Sequence, residues 1–267
     1  MSVSKSVIIL LLVGLLLLIN GGCSKTVFKE EIFQSYRVKP DSTLEVYNPN
    51  GPVEVNGWDG NEIEISAVKE TTGGQSALDR VDIFIDIGQI ITIETDHPPV
   101  DETEVTVSYE IKVPEEMAVG KIECFNGEIN IEDVYGSLEL KTSNGTITAA
   151  NINGIVSARS SNGDINVSGV NGLAGLRTSN GDIDAELLDL QDDLEIITSN
   201  GSITLLLEPD LSIDLEANTS NGTISTGNLD IETTIQEQTS IAGKINDGGY
   251  KVNITTSNGS IDLDYLS

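Results

Sequence analysis

The stretch Thr142-Ser143-Asn144-Gly145-Thr146-Ile147 decides the fold, because it returns with small changes along the chain. Taking the glycine of each copy as the origin, the copies lie 16 to 21 residues apart, at Gly127, Gly145, Gly163, Gly181, Gly201, Gly222, Gly243 and Gly259. A short unit at a nearly fixed period indicates that each unit is one coil of a stacked array.

The residue two positions after each glycine is always isoleucine: Ile129, Ile147, Ile165, Ile183, Ile203, Ile224, Ile245 and Ile261. A second alternating apolar segment precedes each glycine, as Val156 and Ala158 precede Gly163. Alternation with period two is typical of strands that bury one face. Each coil is therefore predicted to contain two short strands, with the isoleucines stacked as an interior ladder.

The predicted fold is an all-β, single-chain parallel β-solenoid of about eight coils of 16 to 21 residues, preceded by a β-rich cap. Stacking at about 4.8 Å per coil would give a rod of roughly 40 Å. A series of antiparallel hairpins is a competing interpretation, since Asn-Gly is also a two-residue hairpin turn. The uniform period and the repeated isoleucine favour stacking.

The Asn-Gly step is interpreted as a corner, because both residues tolerate positive φ angles. The asparagine and the threonine two positions before it are predicted to point inward, where stacked side chains would hydrogen-bond along the rod. Exposed Asn-Gly bonds would also be prone to deamidation.

Cys124 takes the threonine position of the first copy and is predicted to be a small interior residue rather than a reactive thiol.

Residues 1–22 have the pattern of a lipoprotein signal peptide, with Lys5, an apolar run from Val7 to Ile19, and two small residues before Cys23. Thirteen apolar residues are too few to span a bilayer. Cys23 is therefore predicted to be lipidated, with residues 23–31 as a tether. The protein is expected to be exported and lipid-anchored in the cell envelope, at the outer membrane, the cell surface or the periplasm.

Residues 32–114 are rich in strand patterns but not repetitive, and are predicted to cap the repeats of residues 115–267. Within this cap, Asn48-Pro49-Asn50-Gly51 looks like an isolated early copy of the corner. At the other end, Asp262 and Asp264 are predicted to guard the last exposed strand edge against polymerisation.

The formal net charge of −29 argues against nucleic acid and anionic membrane surfaces as partners. The outward positions of two neighbouring coils hold Asp164, Asn166, Asp182 and Asp184, whose oxygen atoms would suit Ca²⁺. The alternative is that these side chains form a solvated acidic face. No other cofactor is indicated.

No catalytic constellation is evident in the sequence. The single histidine, His97, has no second histidine for a metal site and no nucleophile motif nearby. Aromatic residues make up 4% of the chain, which argues against a carbohydrate-active enzyme with sugar-stacking walls. A cluster of acids beside Trp58 or beside the tyrosines would be the sign of such an enzyme.

The segment before Cys23, the strand pair from Leu44 to Val55 and the serial Ser-Asn-Gly-x-Ile units together resemble the putative-adhesin family. This is a bacterial and archaeal domain of unknown function with β-strand repeats, and the resemblance covers roughly Ile32 to Leu266. It implies no catalytic residues. We therefore expect a non-enzymatic envelope lipoprotein that acts as an adhesin or scaffold for an unknown protein or glycan. The alternatives are a self-associating structural protein and a carbohydrate-active enzyme.

Overall fold

The computed structural model describes residues 26–97 and 105–266, so the predicted signal peptide and Cys23 lie outside the described residues. The described chain contains one single-turn helix, α1 (Gln75–Leu78). Its strands are β1 (Phe28–Arg37), β2 (Thr43–Asn50), β3 (Val53–Trp58), β4 (Glu62–Thr71), β5 (Asp82–Ile87), β6 (Ile90–Asp96), β7 (Thr106–Pro114), β8 (Ala118–Asn126), β9 (Ile129–Glu132), β10 (Tyr135–Lys141), β11 (Ile147–Ala150), β12 (Asn153–Arg159), β13 (Ile165–Ser168), β14 (Gly172–Arg177), β15 (Ile183–Leu187), β16 (Leu194–Ile197), β17 (Ile203–Leu207), β18 (Ile213–Asn221), β19 (Ile224–Ser225), β20 (Ile231–Gln236), β21 (Ser240–Ile245), β22 (Tyr250–Asn258) and β23 (Ile261–Tyr265).

These strands form two long sheets that enclose one apolar core. Sheet I has the order β1-β4-β7-β3-β9-β11-β13-β15-β17-β23-β19. Sheet II has the order β20-β21-β18-β22-β16-β14-β12-β10-β8-β2-β6-β5. Each repeat contributes one strand to each sheet and buries every second side chain between them. The predicted all-β solenoid is confirmed.

The isoleucines after the corner glycines stack in register, as Ile147 does on Ile129 and Ile165. Across the core, sheet II supplies the facing row of Leu140, Ala158, Leu176, Ile196, Ile254 and Ala217. All six of these side chains are buried. Because consecutive repeats pair in parallel, the hairpin interpretation of the Asn-Gly step is wrong for the repeats.

The coils do not stack in the order of the sequence. The last coil, residues 250–265, lies between the coil of residues 194–207 and the coil of residues 213–225. The Gly222 corner is therefore at the end of the stack and the Gly259 corner is inside it. The prediction that Asp262 and Asp264 guard the last edge is wrong, since β23 is flanked by β17 and β19.

The predicted seventh coil, around Gly243, is not a coil. Its strand β21 runs antiparallel to β18 and β20. Ile245 pairs with Ile213 and Ile231 and is not part of the isoleucine ladder. The chain turns back after β19, and the amides of Thr219 and Ile224 donate to carbonyls of residues 239 and 238. The degenerate copy is therefore part of a hairpin that covers the terminal coil.

The isolated copy at Gly51 is the first coil in sequence order, and β6 and β7 pair in parallel with β2 and β3 on its other side. Strand β2 pairs with β8 and β3 pairs with β9, which places Asn50 beside Asn126 and Val53 beside Ile129. The stack thus crosses the predicted boundary at residue 114. In the described chain Val53 replaces Ile245 in the ladder, and the number of rungs remains eight.

Candidate functional site

Six corners are each held by a hydroxyl that donates to the glycine carbonyl of the neighbouring coil. Thr178 Oγ1 donates to the Gly163 carbonyl at 2.9 Å, and Thr256 Oγ1 donates to the Gly201 carbonyl at 2.8 Å. The predicted inward position of the threonines is confirmed, since Thr178 is only 1% exposed. Their acceptor is a main-chain carbonyl rather than another threonine.

We expect the substitution Thr178→Val to lower the free energy of unfolding by about 1 kcal/mol, because valine keeps the volume but leaves the Gly163 carbonyl without this donor. Chemical denaturation of the purified protein measures the change. Thr178→Ser should retain most of the stability. Thr148→Val, at an outward position of β11, is a matched control that should have little effect. Equal stability of the Thr178→Val protein and the unchanged protein would contradict this role of the hydroxyl.

The corner asparagines form a row of amide hydrogen bonds on the outside of the rod. Each Nδ2 donates to the Oδ1 of the asparagine that precedes it in the stack, at 2.7 to 3.0 Å, through the series Asn126, Asn144, Asn162, Asn180, Asn200, Asn258 and Asn221. The predicted ladder is confirmed, but its predicted inward orientation is wrong, because these side chains are exposed. The amides of Ser143 and Asn144 both donate to the Phe125 carbonyl, so the chain bends there and the alternation of strand faces ends.

Asn221 is expected to deamidate faster than the other corner asparagines. Succinimide forms when the amide nitrogen of the following glycine attacks the asparagine Cγ and ammonia leaves. Gly163 N donates to the Asn180 carbonyl at 2.9 Å, and the other inner corner glycines are held in the same way. Gly222 N, at the end of the stack, has no main-chain acceptor among the described residues. Peptide mapping after incubation at mildly alkaline pH measures both rates, and equal conversion at Asn162 and Asn221 would contradict the protection.

Cys124 is buried at the corner of the second coil, as predicted, and donates to the Gly51 carbonyl at 3.2 Å. Burial raises the pKa of its thiol to about 11. The thiolate is therefore scarce at neutral pH, which agrees with a packing role.

The four residues of the predicted calcium site lie on neighbouring coils of sheet I. Asn166 and Asp184 are register partners. Asp164 Oδ1 accepts the Asp182 amide at 2.9 Å, and Asp182 Oδ1 accepts the Ser202 amide at 2.7 Å. Two of the carboxylates therefore bond to the main chain of the next coil. Within residues 26–97 and 105–266, no three His, Cys, Asp or Glu side chains are grouped closely enough to hold a metal ion. The calcium site stays a prediction, which calorimetry at millimolar Ca²⁺ would decide.

A cavity of about 330 Å³ lies beside Trp58, with Asp59, Glu115 and Glu116 in its wall. This is the arrangement named above as the sign of a carbohydrate-active enzyme. The three carboxylates are exposed, however, and the Trp58 indole nitrogen donates to the Glu62 carbonyl at 3.0 Å. The tryptophan is thus fixed as part of the wall.

Positive charge is confined to one side of the repeats. All the lysines and arginines from residue 115 onward lie on strands of sheet II: Lys121, Lys141, Arg159, Arg177, Lys244 and Lys251. The strands of sheet I in the same region carry only acidic charges, at Glu132, Asp184, Glu186, Asp262 and Asp264. This separation was not predicted from the sequence, although Lys141, Arg159 and Arg177 each stand four residues before a corner glycine.

Comparison with known proteins gives a family and several solved structures. The family model for Toastrack DUF4097 matches residues 34–264. A putative cell adhesion protein from Clostridium sporogenes has 12% identity and a TM-score of 0.38, with 88% of this chain and 99% of that chain covered. A putative adhesin from Bacteroides fragilis has 12% identity and a TM-score of 0.41, with 88% and 97% covered. No curated protein matches. The described residues also contain no helix of the length and apolar character that a membrane crossing requires.

Proposed function

The chain belongs to the Toastrack DUF4097 family, and we propose that it is a non-enzymatic binding module of the cell envelope. The observation that carries this proposal is the pair of long, regular sheets whose outward side chains differ in charge from one face to the other. A stack tied by main-chain, threonine and asparagine hydrogen bonds can present these faces without rearrangement. Adhesion would be one form of this role, and the ligand would be a protein or a glycan.

Anchoring through a lipid on Cys23 is part of the proposal. Strand β1 begins at Phe28, and an extended chain from Cys23 to this residue would reach no more than about 18 Å. The first coils would then lie near the membrane, and the repeats would project from it. Replacing Cys23 with serine is expected to release the protein from the membrane fraction, and retention of the variant would argue against the anchor.

Self-association through sheet edges is the main alternative. In the described chain the edge strands are β1 and β19 in sheet I and β5 and β20 in sheet II. Strand β19 is two residues long, β20 is irregular between Thr233 and Ile235, and β5 carries Asp82 and Asp86. Short, irregular or charged edges disfavour strand addition. Sedimentation of the purified protein should show a monomer, whereas polymers that grow with concentration would favour assembly.

A carbohydrate-active enzyme is less well supported. Glycoside hydrolysis by two carboxyl groups relies on one acid that an apolar pocket keeps out of water. Asp59, Glu115 and Glu116 are all exposed beside Trp58.

Photo-cross-linking in intact cells tests the binding role. A photoreactive residue at Thr148 probes the outer face of sheet I, and one at Ser157 probes the outer face of sheet II. The same residue at the buried Ile147 is the control. We expect one outward position to capture an envelope component that the control does not. If neither face captures anything beyond the control, the binding role is wrong.

A further inference from the structure

Three basic side chains stand in line across sheet II. Lys141 is the register partner of Arg159, and Arg159 is the register partner of Arg177. All three are exposed, and neighbouring strands place them about 4.8 Å apart along the rod. We call these three residues the basic row.

Like charges placed directly opposite on neighbouring strands destabilise a sheet, so the basic row has a cost for the fold. Lys141 offsets it by an ion pair with Glu123, at 2.7 Å. Arg159 and Arg177 form no ion pair among the described residues. These two are half of the arginines in a chain whose net charge is −29. Carboxylates are abundant in this chain, yet none in the part that the structure describes forms an ion pair with either arginine.

The positions beside the two arginines are small and polar. Ser157 and Gly175 precede Arg159 and Arg177 by two residues, and they are register partners. On the other side Ser161 and Ser179 follow by two residues and are exposed. The same outward position holds Phe125 in the second coil, where the ring is 60% exposed. The two arginines are thus bordered by the hydroxyl groups of Ser157, Ser161 and Ser179, while Glu139 lies beside Lys141 and an accessible aromatic ring lies at one end of the row.

We propose that the basic row binds an acidic polysaccharide that lies along the rod axis. Arginine forms paired hydrogen bonds with carboxylate and sulfate groups, serine hydroxyls bond to sugar hydroxyls, and Phe125 offers a face for a sugar ring. Consecutive rings of a pyranose chain follow one another at close to one strand spacing. This assignment rests on the proposed binding function and names its ligand class.

Other anionic partners fit the basic row less well. Side chains on one face of an extended peptide repeat at about 6.6 Å, which does not match a spacing of about 4.8 Å. An anionic bilayer or a second copy of this chain would bring a broad negative surface against a protein of net charge −29. A thin polymer meets the row without approaching the acidic sheet I.

Binding of the full mature protein to polygalacturonate and to dextran sulfate, measured by calorimetry, tests the proposal. Neutral dextran, poly-glutamate and phosphatidylglycerol vesicles are the comparison ligands. We expect one acidic polysaccharide to bind, with an affinity that falls as salt is added. The double substitution Arg159→Ala and Arg177→Ala should weaken it at least tenfold. The matched control Lys244→Ala with Lys251→Ala removes two cations from the same sheet and should leave the affinity within twofold.

The proposal is overturned if neither acidic polysaccharide binds, if the arginine and lysine double variants lose affinity equally, or if poly-glutamate or vesicles bind as tightly. Circular dichroism of both variants should show the same β-sheet spectrum, since all four side chains lie on strands and point away from the core. Should polysaccharide binding fail while photo-cross-linking still captures an envelope component, the ligand class is wrong and the binding function stands.

Discussion

Replacing Gly163 with alanine is expected to lower the free energy of unfolding by about 3 kcal/mol, the upper end of the range for forced overpacking. An added Cβ would stand 2.0 Å from the Gly145 carbonyl oxygen and 2.4 Å from its carbon. Neither coil can yield easily, because Gly145 N donates to the Asn162 carbonyl and Gly163 N to the Asn180 carbonyl. The two coils would have to move apart, because only the glycine hydrogen fits between Gly163 and the Gly145 carbonyl.

Gly172→Ala is the matched control for this prediction. Gly172 also lies in the stack, but its added Cβ would meet only Ile155 Cγ1, at 3.6 Å, which is an ordinary contact. Its substitution should change stability by no more than about 0.5 kcal/mol. Guanidinium denaturation followed by circular dichroism measures both variants. If both variants lost a similar free energy of unfolding, the contact between coils would not be the cause.

Ile196→Ala is expected to cost about 3 kcal/mol, within the usual range for a buried isoleucine reduced to alanine. Ile196 is fully buried and stacks between Leu176 and Ile254 in the interior of sheet II. The cavity would lie in the middle of the rod, where coils on both sides depend on the contact.

The next residue in the strand provides the control. Ile197 points outward from β16 and is partly exposed. Ile197→Ala removes the same atoms from the same strand and should cost less than about 1 kcal/mol. Comparable losses for Ile196→Ala and Ile197→Ala, measured by the same denaturation, would refute the assignment of β16 faces.

The sequence was sufficient to predict what depends on local chemistry. Ile165 follows its corner by two residues, and this spacing alone places it on the inner face of a strand. The order of the coils could not be predicted in the same way. The copies at Gly222 and Gly259 differ by one residue over six, Thr223 against Ser260, so each encodes a corner but not its neighbour in the stack.

The corner asparagines show a second limit. Period-two counting places Asn144 inward because it treats the strand as continuous through the corner. The bend, where two successive amides donate to the Phe125 carbonyl, exposes the side chain. Such a bend depends on the neighbouring coil, which a single repeat does not contain.

The candidate binding surface was also only partly predictable. The sequence drew attention to Asp182 and Asp184, because acidic residues are numerous and their oxygens suit a cation. The basic row required knowledge of the strand to which each cation belongs. Arg159 and Arg177 are 18 residues apart in sequence, and only the parallel register makes them neighbours.

The position of residues 250–265 inside the stack has a consequence for biosynthesis. A chain released from its amino end first would complete residues 213–225 before the coil that must lie beneath them existed. Residues 213–225 and the hairpin that covers them would remain undocked until residues 250–265 were made and took their place between the two coils. The last two coils of the stack would therefore close in one late step, while the coils from Gly51 to Gly201 could form in order as they emerged.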